Sequence, residues 1–490
     1  MTDLYRLAHG VLFPGIGRPR LPRWAAEAID RGVGGFVVYG KDIETAEQLR
    51  SLTDAAHALR EHVLLAADEE GGDVSRLENA GGTATPGNHA LGRLDDEAAT
   101  EATGYEIGLS LRDAGLDWDL APPIDVATNP LSPNGIRCFG GDRELVSRHA
   151  AAWVRGLQSA GPAACAKHFP GHGESAVDAH LGTPTIEVTR DELLARYLDP
   201  FRAAIAAGVD SIMVSHDRVT AVDPDLPAAI STPVVTGILR EELGYDGVVI
   251  TDALEMRGVA DVADLPEASV RAIAAGADAL CLGCWAYADD VAAAAGALVA
   301  AVHDGRLTEQ RLVRANERLA RLGRRARSAA DRDTAHGLRL AERVRAVHGD
   351  ARLRGRQVLT VKLTPSVSPA AGRGDWGVED LLTAAGREVT SVVVAGDTYH
   401  GPGIVRAEIG QFRAEAGDDA PIVVQVRSPH RFAWTAPILG YLREHCRQAV
   451  VLDMGVPAEE FGEFRGWIQT YGSSRVCSRA AADVLLDAAG

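Results

Sequence analysis

The chain has 490 residues, 46% hydrophobic and 24% charged, an ordinary globular composition and enough length for two or more domains. Its formal net charge of -18 excludes nucleic acid as the main partner, because phosphate binding needs a basic surface, and gives no attraction to anionic membranes. Six cysteines in this length exclude a disulfide scaffold.

The N-terminus, Met1-Thr2-Asp3-Leu4-Tyr5-Arg6, lacks a basic region leading into an apolar core, and no stretch is apolar enough to span a bilayer. The expectation is a cytoplasmic protein without membrane insertion. Short apolar runs then alternate with longer helical patterns. The strand candidates are Val11-Leu12-Phe13, Phe36-Val37-Val38-Tyr39, Val63-Leu64-Leu65-Ala66-Ala67 and Trp118-Asp119-Leu120-Ala121. They continue with Ala163-Ala164-Cys165-Ala166, Ser211-Ile212-Met213-Val214, Val248-Val249-Ile250-Thr251 and Ala279-Leu280-Cys281-Leu282. Ala-rich helical stretches such as 45–59 and 194–207 lie between. Continuous apolar strands separated by helices predict a covered parallel sheet, and eight of them predict a (β/α)8 barrel over residues 1–325. An open doubly wound sheet is the competing arrangement, but no Gly-x-Gly-x-x-Gly follows an early strand.

Polar groups gather where the strands end. Asp68-Glu69-Glu70, Asp125, Lys167-His168, Ser215-His216-Asp217 and Asp252 each follow a strand candidate. Barrel enzymes carry their sites at that face. The densest stretch is Lys167-His168-Phe169-Pro170-Gly171-His172-Gly173-Glu174-Ser175-Ala176-Val177-Asp178-Ala179-His180, where titratable groups crowd into a segment broken by glycine and proline. Cys281-Leu282-Gly283-Cys284 has half the spacing of a zinc site but no second pair nearby, so it reads as core thiols with no metal.

The arginine-rich stretch around Arg321 to Arg327 reads as a solvated terminal barrel helix, and 326–355 as a helical linker. A second α/β pattern fills 356–490, with strands at 358–361, 391–394, 422–426 and 450–453 and helices at 378–385 and 437–446. It predicts a smaller three-layer domain with a parallel sheet.

Lys167-His168-Phe169-Pro170-Gly171-His172-Gly173, followed by Asp178-Ala179-His180, resembles the signature of glycoside hydrolase family 3 in its β-N-acetylhexosaminidase branch. Asp68-Glu69-Glu70-Gly71-Gly72-Asp73-Val74-Ser75-Arg76-Leu77, Arg137-Cys138-Phe139-Gly140 and Ile250-Thr251-Asp252-Ala253-Leu254-Glu255-Met256 resemble its other motifs, in the same order. Glu69, Cys138 and Ala179 depart from the usual Gln, Ser and Ser. The resemblance implies a barrel followed by an α/β domain, and a retaining exo-β-N-acetylglucosaminidase acting on a small carbohydrate with terminal β-linked GlcNAc, such as cell-wall fragments or chitin oligosaccharides. It implies Asp252 as nucleophile and His180, oriented by Asp178, as acid/base. It implies Asp68, Arg76, Arg137, Lys167 and His168 as sugar-binding residues, with His216 a candidate for the lining, and no cofactor.

The residues themselves leave alternatives. Asp252 is also placed to cap a helix at 253–256. Arg76 and Arg137 could pair with structural carboxylates such as Asp125. His180 could be a surface histidine beside a solvated Asp178. His172 reads as structural, and Glu255 has no assigned role. A phosphorylase, a β-glucosidase and a non-catalytic sugar-binding relative are the competing functions. The oligomeric state is not legible in the sequence.

Overall fold

The computed structural model describes residues 3–79, 81–173, 182–322, 325, 328–365, 376–396, 401–457 and 460–487. The chain forms two compact units. The first holds residues 1–70, 96–134 and 138–333; the second holds 71–95, 135–137 and 334–490.

The first unit is a closed ring of eight parallel strands: β1 (Leu12–Pro14), β2 (Gly35–Val38), β3 (Leu64–Ala67), β4 (Trp118–Asp119), β5 (Cys165–Phe169), β6 (Ser211–Val214), β7 (Val248–Thr251) and β8 (Leu280–Gly283). Ladders join β2–β3–β4, β5–β6–β7 and β8–β1. Parallel bridges at Gly15–Val37, Trp118–Ala163 and Ile250–Ala279 close the three gaps. This is the barrel expected from the eight apolar runs. All eight strands are buried throughout, which is why they read as continuous apolar stretches rather than alternating ones.

Side chains fill the ring. Phe13, Val37, Ala66, Trp118, Cys165, Met213, Ile250 and Cys281 belong to one buried cluster. Phe13 meets Trp118 edge to face at 5.5 Å, and the Trp118 indole N–H donates to Ser211 Oγ at 2.8 Å. A buried indole needs such a partner, so Ser211 is matched to Trp118. Just before β8, the fully buried Asp278 carboxylate is neutralised by Arg240, Arg311 and Arg318 at 2.5, 3.0 and 3.3 Å.

The surrounding helices start where the sequence supplies an oxygen to cap them. Thr45, Asp96, Asp142, Asp264 and Thr308 each accept a backbone N–H from the first turn of the helix that follows. Gly32 and Gly115 end two helices with φ of 98° and 76°, a conformation a side chain would resist. The helical stretch expected over 194–207 is two pieces: a π-helical turn Leu193–Tyr197, then Asp199–Ala206. Pro200 carries no N–H, so it fits only in the first turn of a new helix.

The second unit is a six-stranded sheet with strands β9 (Ala346–Gly349), β10 (Gln357–Thr364), β11 (Glu388–Ala395), β12 (Ile422–Val426), β13 (Val450–Asp453) and β14 (Gly466–Gln469). The order is β9-β14-β13-β12-β10-β11, parallel except for β9. Alternate residues face opposite cores. Leu359, Val361, Val424 and Val451 enter one apolar cluster, while Val358, Val423, Val450 and Leu452 enter the other. Both faces are therefore covered, giving the expected three layers. Within 326–355, helix His336–Val344 is followed directly by β9. Residues 71–95 pack in this unit. There Asp73 accepts from Arg427 Nη1 and from Ser473 Oγ, each at 2.7 Å.

Candidate active site

The carboxyl ends of the barrel strands carry a set of interlocked charges. Lys167, inside β5, is 2% exposed. Its Nζ lies 2.7 Å from Asp68 Oδ1 and 2.7 Å from Glu70 Oε1, both just past β3. A buried ammonium must be paired, and here two carboxylates share it. Beside them Asp119, at the end of β4, accepts the Glu69 N–H at 2.9 Å. Burial pushes the Asp119 carboxyl well above the usual range, and the nearby Glu69 and Asp68 add to it against Lys167. Burial thus favours the protonated form of Asp119 beside the charged cluster.

The next residue, His168, turns to Asp125. Its Nδ1 is 2.8 Å from Asp125 Oδ2, and its backbone N–H donates to Oδ1 at 3.2 Å. Asp125 also accepts from the His172 backbone N–H at 2.7 Å and from Asn134 Nδ2 at 2.9 Å. Burial alone would raise Asp125, but the attraction and hydrogen bonds of His168 and His172 outweigh it and bring the carboxyl to about 2. An ionised carboxylate only accepts, so His168 carries its proton on Nδ1. His172 repeats the arrangement. Its Nδ1 stands 2.8 Å from both oxygens of Asp217, just past β6. Two histidines, with ring centroids 6.1 Å apart, are thus each fixed by a buried aspartate.

Asp252 follows β7 and is half-buried. Its backbone N–H donates to Val214 O at 3.0 Å, and its Oδ1 accepts from the Ala253 N–H at 2.7 Å. No regular helix begins at 253; the first helical turn after β7 is Arg257–Ala260. Asp252 is therefore not a helix cap in the sense open to the sequence. His216, a candidate for the lining, is fully buried and gives its Nε2 proton to Ala253 O at 2.9 Å. It supports the backbone beside Asp252. Glu255 ties β7 to β8: its two oxygens accept the N–H groups of Cys284 and Trp285 at 2.6 and 3.0 Å. Burial pushes the Cys281 thiol well up, and the charges of Asp252 and Asp68 add to this against a hydrogen bond from Tyr39 at 3.6 Å.

Of the expected residues, Asp68, Lys167, His168, His216 and Asp252 all lie in the first unit at the carboxyl ends of its strands. Arg76 and Arg137 belong to the second unit; there Arg76 is buried and the Arg137 carbonyl accepts from Asn88 Nδ2 at 2.9 Å. Asp178 and His180 lie outside the described residues. Glu70, Asp119, Asn134 and Asp217 were not singled out as site residues from the sequence. Glu70 stood in plain sight beside Asp68, and Asp119 was hidden inside an apolar run. Among the described residues no group of three or more His, Cys, Asp or Glu could hold a metal, and no helix is long and apolar enough to cross a membrane.

Residues 22–322 match the family described as Glycosyl hydrolase family 3 N terminal domain. A beta-hexosaminidase from Methylobacillus flagellatus is 34% identical over 257 residues, covering 51% of this chain and 73% of that protein. One from Pseudomonas aeruginosa is 37% identical over 247 residues, covering 50% and 74%. The solved structure of a glycoside hydrolase family 3 beta-N-acetylglucosaminidase from Paenibacillus sp. superposes with a TM-score of 0.88 at 30% identity, covering 99% of this chain and 97% of that one. With a matching family region over most of its length and its charged side chains at the expected strand ends, this chain belongs to glycosyl hydrolase family 3.

Proposed function

We propose that the protein is a retaining exo-β-N-acetylglucosaminidase that releases terminal β-linked GlcNAc from cell-wall fragments or chitin oligosaccharides. The observation that carries the reading is the pairing pattern at the strand ends. Lys167, Glu70, His168, Asp125, His172 and Asp217 are buried in mutual contacts, and beside them the half-buried Asp252 closes β7 with its Oδ1 accepting the Ala253 N–H. A partly exposed carboxylate at the carboxyl end of a barrel strand is the kind of group that serves as nucleophile in a retaining glycosidase.

An Asp252 oxygen attacks the anomeric carbon, and the bond to the leaving oxygen breaks. His180, oriented by Asp178, gives that oxygen its proton. Water then attacks the same carbon from the other side, passes a proton to His180, and frees the Asp252 carboxylate. Two inversions leave the configuration retained. Asp68, Lys167 and His168 supply charged groups to the sugar hydroxyls. Arg76, Arg137, Asp178 and His180 take their roles from the motif match alone.

The test is product analysis with an aryl β-GlcNAc and an aryl β-glucoside, in phosphate and in a non-phosphate buffer. Free GlcNAc in both buffers, appearing first as the β-anomer, is the expected result. GlcNAc-1-phosphate in phosphate buffer would make the protein a phosphorylase, and preference for the glucoside would move it to another branch. Binding of GlcNAc without turnover would make it a sugar-binding relative.

A further inference from the structure

The eighth strand ends in a feature that the chemistry above does not use. Trp285, two residues past β8, is 66% exposed, the one exposed tryptophan among the described residues. Leaving an indole in water forgoes a large burial gain. The backbone beneath it is pinned: Glu255, three residues beyond Asp252, accepts the backbone N–H of Trp285 at 3.0 Å and that of Cys284 at 2.6 Å. Lys41, past β2, stands over the indole with Nζ 3.7 Å from the ring centre. The same ammonium donates to Cys284 O and, at 3.3 Å, to Tyr287 Oη. All three Lys41 donors are thus engaged, two by hydrogen bonds and one by the ring. Tyr287 is braced in turn by Trp24, whose ring lies 6.0 Å away edge to face.

With Lys41 on one face, the exposure of Trp285 belongs to its other face and its edge. The result is a rigid flat apolar surface at the active end of the barrel, on the strand next to the one that bears Asp252. The pyranose chair of a β-linked GlcNAc presents axial C–H groups on its faces, and a preorganised aromatic face receives them at little ordering cost. The terminal sugar needs the polar groups around Lys167 and Asp68 for its hydroxyls. An open rim position fits the ring that follows it.

We infer that Trp285 is the platform for the first sugar ring on the leaving-group side of the scissile bond, and so favours carbohydrate leaving groups over small ones. The inference rests on the β-GlcNAc hydrolysis proposed above. Trp285→Ala and Trp285→Phe, first checked by thermal melting for intact folding, would be assayed on a β-linked GlcNAc disaccharide and on β-GlcNAc fluoride, whose leaving group has no ring. For Trp285→Ala the ratio of kcat/KM, disaccharide over fluoride, should fall about tenfold, mostly through KM, and Trp285→Phe should recover most of it. An unchanged ratio, with wild-type turnover of both substrates, overturns the platform and leaves the hydrolase reading standing. Equal losses on both substrates assign Trp285 a structural role and also overturn it. A wild-type protein that cleaves neither substrate brings down the hydrolase reading and the platform together.

Discussion

Nζ of Lys167 stands 2.7 Å from Oδ1 of Asp68, and the same ammonium reaches Glu70 Oε1 at 2.7 Å. Three residues from two strand ends thus form one charge unit around the Lys167 ammonium. Lys167→Met should leave the buried Glu70 and the half-buried Asp68 without their shared ammonium and cost about 3–5 kcal/mol of stability. Adding Glu70→Gln to that variant should restore part of the loss, because one of the two uncompensated charges is gone. Urea unfolding of wild type, single and double variants measures both effects. If the double variant is no more stable than Lys167→Met, Lys167 is not there to hold Glu70.

Asp252→Asn keeps shape and the acceptor for the Ala253 N–H but lacks the nucleophilic oxygen. Turnover of an aryl β-GlcNAc should fall by about three orders of magnitude. Melting temperature should stay close to wild type, since the group is half-buried and the amide keeps its shape and polarity. A variant with near-normal kcat removes Asp252 from the reaction.

The position of Asp125 makes a pH prediction. Its carboxyl is held at about 2 in the folded state, below the ordinary value of 3.8. A depressed carboxylate stabilises the fold above its unfolded pKa, and that stabilisation is lost as pH falls through the folded value. Asp125→Asn should therefore cost most above pH 4, with the gap to wild type narrowing toward pH 2. Denaturant titrations at a series of pH values give the gap directly. A gap that is constant from pH 6 to pH 2.5 would mean the charge on Asp125 does not matter to the fold.

How much of this could be read from the chain depends on how local each signal is. The eight barrel strands were legible because burial on both faces makes each a continuous apolar run. β9 and β14 were not. β9 is mostly exposed and β14 opens on Gly466, so neither leaves such a run. Asp68, Lys167 and Asp252 were legible as charges at strand ends within recognisable motifs. Their partners were not, because the link from Lys167 to Glu70 spans nearly a hundred positions and that from His172 to Asp217 spans 45. Asp119 went unread for a different reason: it sits as a single carboxyl inside an apolar stretch, and burial pushes that carboxyl up rather than breaking the run. Glu255 takes no role from the sequence, yet it holds the loop after β8.

The acid role assigned to His180 makes the most specific kinetic demand. An acid that protonates the leaving oxygen matters in proportion to how badly that oxygen needs a proton. A dinitrophenolate departs without help, whereas the hydroxyl of a second sugar does not. His180→Ala should therefore leave the first chemical step with dinitrophenyl β-GlcNAc close to wild type and slow it by orders of magnitude with alkyl or sugar leaving groups. Asp178→Ala should show the same trend more weakly, since it removes only the group that orients the imidazole. Single-turnover rates across a series of leaving-group pKa values separate this step from the hydrolysis that follows. A wild-type to mutant ratio that stays flat along the series excludes His180 as the acid. Glu174, in the same segment, is then the next carboxyl to replace.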